Sequence, residues 1–135
     1  MELMYQNVVE MMDRCCEEYA DLPMYGAPAD GDYNWMTFRD FAETVAELRG
    51  GLDLLGVGVG DRVGVISANM IPWVTMAYAT FSAGAVYVPM YPQQNKEDGQ
   101  YILRDSNCKV LLVASEKLYH EALTCCLLYT SDAAD

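Results

Sequence analysis

Apolar residues recur every three or four positions through two stretches of the front half of this chain and gather into short unbroken runs in the second half. Over residues 3–19, Leu3, Val8, Met11, Met12, Cys15 and Tyr19 fall at helical spacing with acidic residues between them, which predicts a first amphipathic helix. The following "DLPMYGAPADGDYNW" is rich in Pro, Gly and Asp and predicts a loop with a short strand at each end. Thr37 then stands three residues before Asp40, a capping-box pattern in which the hydroxyl accepts an early amide and the acid favours the positive end of the helix dipole. A second helix should start there, with Phe38, Phe41, Val45, Leu48, Leu52 and Leu55 as its apolar stripe. Gly50 and Gly51 lie inside it, each costing about 1 kcal/mol relative to Ala. Close packing against a neighbour is the expected compensation.

Beyond Gly60 the pattern changes. The run "RVGVI" at 62–66, a helix over 70–82, the strand "AVYV", a helix over 96–105 and the strand "VLLV" give the order β-α-β-α-β. Apolar strands without polar alternation belong to a parallel sheet covered on both faces, and the connections are long enough for crossover helices. The fold class is α/β. Ser115 caps a last helix, "EKLYHEALT". Between Asn69 and Asn95 no residue is charged, a length able to cross a bilayer. Pro72 marks a helix start, Gly84 an interruption and Pro89 and Pro92 an end, so this stretch divides into a buried helix and a buried strand.

Composition narrows the possibilities. The 135 residues fit one domain of ordinary size or the opening portion of a larger one, and 53% hydrophobic against 21% charged residues permit a core. Eight Lys and Arg stand against twenty acids, a net charge of −12 that argues against nucleic acid and against anionic membranes. The five cysteines, Cys15, Cys16, Cys108, Cys125 and Cys126, form no C-x-x-C pair and lie away from the single histidine, His120, at zinc-ligand spacing. They are expected as small buried or half-buried residues of a reducing compartment. The start "MELMYQNVVEMMDR" lacks a basic segment followed by an apolar run and is not a secretory signal. The expected localisation is cytoplasmic, with peripheral membrane association left open. The final ten residues, "CLLYTSDAAD", resemble a translated sequencing-adapter sequence, so residues 126–135 are expected to be a non-native tail and residues 1–125 the natural part.

Three features invite a functional assignment, and each has a simpler one. Gly56, Gly58 and Gly60 in "GVGVGDR" look like a phosphate loop, but such a loop follows a strand and opens a helix, whereas these follow a helix and open a strand. They are expected to form a turn. Asn69 follows a strand's C-terminal end, where α/β sheets bind ligands, but it is expected as a helix cap. His120, at the polar border of the last helix, is expected to be solvated.

The ordered segments "WMTFRDFAETVAELRGGL", "LGVGVGDRVGVISANMIPW", "FSAGAVYVPMYPQQ" and "YILRDSNCKVLLVASEK" together resemble the N-terminal subdomain of AMP-forming acyl-CoA synthetases, the adenylate-forming superfamily. The resemblance runs from about Val8 to Tyr119. Its most specific parts are Gly60-Asp61-Arg62-Val63, Ala83-Gly84-Ala85 leading to Val88-Pro89, Tyr101-Ile102-Leu103 with Asp105-Ser106, and Lys109-Val110. Pro89-Met90-Tyr91 is similar to the long-chain fatty acyl branch and to related acyl-carrier-protein synthetases. The resemblance implies a partial N-terminal AMP-binding domain, an incomplete β-α-β-α-β piece of the adenylate-forming fold. It also implies a parent ligase that joins a fatty acid to CoA through an acyl-adenylate, with ATP, Mg²⁺ and CoA as cofactors.

No Ser/Thr/Gly-rich loop ending in Lys, no ribose-binding acid and no C-terminal lid lysine occurs in these residues, so no catalytic, cofactor-binding or metal residue is assigned. The chain alone is expected to bind none of these cofactors and to be inactive, the remainder of the parent being its packing partner. The motif-matching positions are structural in this family: Gly60 and Asp61 for the turn, Gly84 for the helix-to-strand passage, and Pro89 to end the strand. The alternatives are a stand-alone α/β interaction module without catalysis, an acyl-carrier-protein synthetase, or another adenylate-forming ligase. A dinucleotide-dependent enzyme loses on the order of glycines.

Overall fold

Local signals set most of the element boundaries in the computed structural model, which describes residues 4–122. The first helix, α1 (Val8–Glu18), begins later than the apolar spacing alone predicts. Its start is set by Asn7, whose side chain accepts the Glu10 amide, while the Glu10 carboxylate accepts the Gln6 amide at 2.9 Å. The two expected strands form, longer than predicted and with a shorter loop between them, as an antiparallel hairpin of β1 (Pro23–Ala29) and β2 (Asp32–Thr37). Asp30 and Gly31 both have positive φ, 39° and 88°, and Ala29 pairs with Asp32, so a two-residue turn of the mirror-image type closes it. Inside the hairpin, the Trp35 ring lies over Gly26 where a Cβ would meet it at 3.1 Å.

The capping box at Thr37 forms as expected: its hydroxyl accepts the Asp40 amide and the Asp40 carboxylate accepts the Thr37 amide, opening α2 (Phe38–Leu54). This helix ends in a Schellman motif, with Gly56 at φ +76° donating to the Asp53 carbonyl and Val57 donating to that of Leu52. The side chains of Val57 and Leu52 meet in the core. Gly50 and Gly51 behave otherwise than expected. A Cβ at either would find nothing within 4 Å, so no neighbour in the described fold presses against them.

Three parallel strands follow: β3 (Arg62–Ile66), β4 (Val86–Met90) and β5 (Val110–Val113), in the order β4-β3-β5. The crossovers are α3 (Ile71–Ser82) and α4 (Lys96–Ser106), so the predicted β-α-β-α-β order and α/β class hold. On one face of the sheet Val63 and Val65, both fully buried, pack with Leu52 of α2 and Ala79 and Ala85 around α3. On the other face Gly64 makes room: a Cβ there would meet Leu111 at 3.0 Å and the Cys108 sulfur at 3.1 Å. The uncharged stretch 69–95 divides as predicted into α3 and β4, with Pro72 in the first turn of α3, but β4 is not the buried strand expected: as an edge strand it buries only Met90 fully. No helix among the described residues is long and apolar enough to cross a membrane. The last helix also starts as expected, with the Ser115 hydroxyl accepting the Leu118 amide and helix continuing over residues 116–122.

Pro89 does not end its strand. It lies within β4 opposite Val65, and the strand continues to Met90. This is possible because β4 is an edge strand, where proline can sit with its missing N–H on the unpaired side. Gly84 does serve the tight passage from α3 to β4. It has φ +69°, donates to the Phe81 carbonyl, and a Cβ there would stand 3.0 Å from Val59. Gly84→Ala should therefore destabilise the fold by about 1–2 kcal/mol for the left-handed backbone alone. Gly50→Ala and Gly51→Ala should each stabilise it by about 0.5–1 kcal/mol, since helix propensity rises and nothing is displaced. Urea unfolding of the three variants checks both signs, and a stabilised Gly84→Ala would contradict the assignment.

Candidate functional site

A parallel sheet has two unlike ends, and the glycine turn lies at the end where the strands begin. Its three glycine amides and that of Val57 are already engaged: Gly56 and Val57 close α2, Gly60 donates to the Gly84 carbonyl at 2.9 Å, and Gly58 donates to Oδ2 of Asp61 at 2.8 Å. A carboxylate thus occupies the position that an anion would need. The turn does not fit a nucleotide phosphate, in agreement with its order in the sequence.

The same Asp61 oxygen accepts from Lys109 Nζ at 2.9 Å, and Lys109 also donates to the Gly56 carbonyl. The Gly58 amide first and Lys109 second hold the Asp61 carboxyl below its ordinary value. Beside this pair, Arg62 spreads its guanidinium over three carbonyls, those of Ser106 at 2.8 Å, Asn107 at 3.1 Å and Gly60 at 3.1 Å. Ser106 and Asn107 end α4, with Asn107 in the left-handed conformation, so the cation lies against the negative end of that helix. Asp61, Arg62 and Lys109 form a clasp joining the starts of β3 and β5 to the ends of α2 and α4.

At the opposite end, the strands deliver the chain into the loops at 67–70, 91–95 and 114–115. Ligands of open α/β sheets bind outside this edge. Here a cavity of about 370 Å³ lies between the strand ends, α4 and the helix over 116–122. Ile66, Met90, Leu103 and Leu118 make it apolar, with Lys96 and Glu121 among its polar lining. Ser67 is buried, and its hydroxyl donates to the Ala68 carbonyl at 2.8 Å. Tyr87 donates its hydroxyl to the Trp73 carbonyl at 2.9 Å, and burial pushes its phenol up to about 12, so it is a fixed donor tying β4 to α3.

The residues singled out by sequence separate between these two ends. Gly60 and Asp61 lie in the turn and Gly84 in the helix-to-strand passage, as expected, and the Gly60 amide on the Gly84 carbonyl brings the two together. Asn69 does not cap α3: the cap position belongs to Met70, which makes no side-chain capping bond, and Pro72 starts the helix without needing one. Asn69 is exposed beside the ligand edge. His120 is solvated, with Nε2 3.8 Å from the exposed Glu116 carboxylate and its ring against Tyr119. Cys15, Cys16 and Cys108 are half-buried free thiols. Residues 126–135, with the expected adapter-derived tail, and Cys125 lie outside the described residues.

With the fold and both ends of the sheet in place, comparison with known proteins decides the family. The family of AMP-binding enzymes matches residues 12–134. The chain belongs to the AMP-binding enzymes. Among relatives, a long-chain-fatty-acid–CoA ligase of Drosophila melanogaster, heimdall, is 32% identical over 80% of this chain and 16% of its own length. An anthranilate–CoA ligase, AuaEII, solved with anthranoyl-AMP, superposes with a TM-score of 0.77 at 28% identity, over 87% of this chain and 22% of that one. The solved N-terminal domain of FACL13 from Mycobacterium tuberculosis gives 0.74 at 26% identity, over 81% and 27%. The chain spans less than a fifth of the length of the first curated relatives it matches. Its architecture is that of the N-terminal subdomain of AMP-binding enzymes.

Sequence reasoning gave Asp61 a turn and left Lys109 and Arg62 without roles. A signal was present in this chain: charged residues directly precede or open two strands that the parallel register sets side by side, Val63 opposite Val110. Because the Asp61 carboxyl lies below its ordinary 3.8, its contribution to stability is whole above that value and vanishes as pH falls through the lowered one. Asp61→Asn should lower the thermal midpoint at neutral pH and flatten its acid limb. Melting curves between about pH 2.5 and 6 check this; parallel acid limbs for the two proteins would refute it.

Proposed function

We propose that this chain supplies the N-terminal subdomain of a long-chain fatty acid–CoA ligase, which joins the acid to CoA while cleaving ATP to AMP and pyrophosphate. One observation carries the reading: the AMP-binding match covers residues 12–134, with long-chain ligases among the relatives at about a third identity. Pro89-Met90-Tyr91, which resembles the long-chain branch, supports the substrate class. The parent would use ATP, Mg²⁺ and CoA.

The part assigned to this chain is architectural. The glycine amides of its turn are spent, Ser67 donates to the adjacent Ala68 carbonyl and His120 faces solvent, so residues 1–125 position the sheet's ligand edge and leave the chemistry to the rest of the parent. The proposal includes a cytoplasmic setting, supported by the free thiols of Cys15, Cys16 and Cys108, and a non-native origin for residues 126–135.

Pyrophosphate release with palmitate, ATP and Mg²⁺ tests the proposal. The 135-residue chain should release none above the blank, and the protein encoded by the continuous reading frame of its source transcript should release it and form palmitoyl-CoA when CoA is added. Turnover by the 135-residue chain, or a continuous frame that activates only short or aromatic acids, would overturn it.

A further inference from the structure

We draw no further inference here: the strongest candidate, the largely apolar cavity between the strand ends, α4 and the helix over 116–122 with Lys96 in its lining, belongs to the ligand edge already described, and nothing in the structure shows what covers it.

Discussion

Everything else in this fold is arranged around β3, which is paired on both edges and buried on both faces. A strand with parallel neighbours on each side needs a crossover to reach each of them, and α3 and α4 supply the two. Its side chains must suit unequal surroundings. Val63 and Val65 fill the face under α2 and α3, while Gly64 yields its volume to Leu111 and Cys108 on the other. The valines of β3 suit extended structure as well as the buried face, but Gly64 follows from the strand's central place alone.

The two ends of that strand are treated in opposite ways. Where it begins, Asp61, Arg62 and Lys109 and the amides of the glycine turn satisfy one another, so that edge is closed to an incoming anion. Where it ends, the described loops after the strands carry no comparable set of ion pairs, and a largely apolar cavity remains between α4 and residues 116–122. An AMP-binding enzyme needs one rigid and one accessible sheet edge, and the subdomain divides its polar groups accordingly.

What was legible in the sequence depended on how far apart the interacting residues lie. The capping box needs only Thr37 and Asp40, and it was found where expected. The hairpin carried its own signal in Asp30-Gly31, but β1, rich in Pro, Gly and Ala, lacked the alternation that would have framed it. Pro89 misled because a proline ends a central strand but not an edge strand, and strand order is not visible in sequence. Gly50 and Gly51 misled differently, since the expected packing has no partner in the described fold. The Asp61–Lys109 pair joins residues 48 positions apart and becomes visible only once the β3–β5 register is known. At the ligand edge, Asn69 was correctly placed beside the sheet but lost its capping role to the stiffness of Ile71-Pro72.

Pro89 has a further effect through its position. Val86 donates its amide to Asp61, so by alternation residue 89 faces away from β3, and its missing hydrogen leaves a gap in the outer rim of β4. The rim of β5, "VLLV", contains no proline and no charge. Lateral growth of this sheet is consequently one-way: a newcomer strand, native or errant, finds a continuous template at β5 and a broken one at β4.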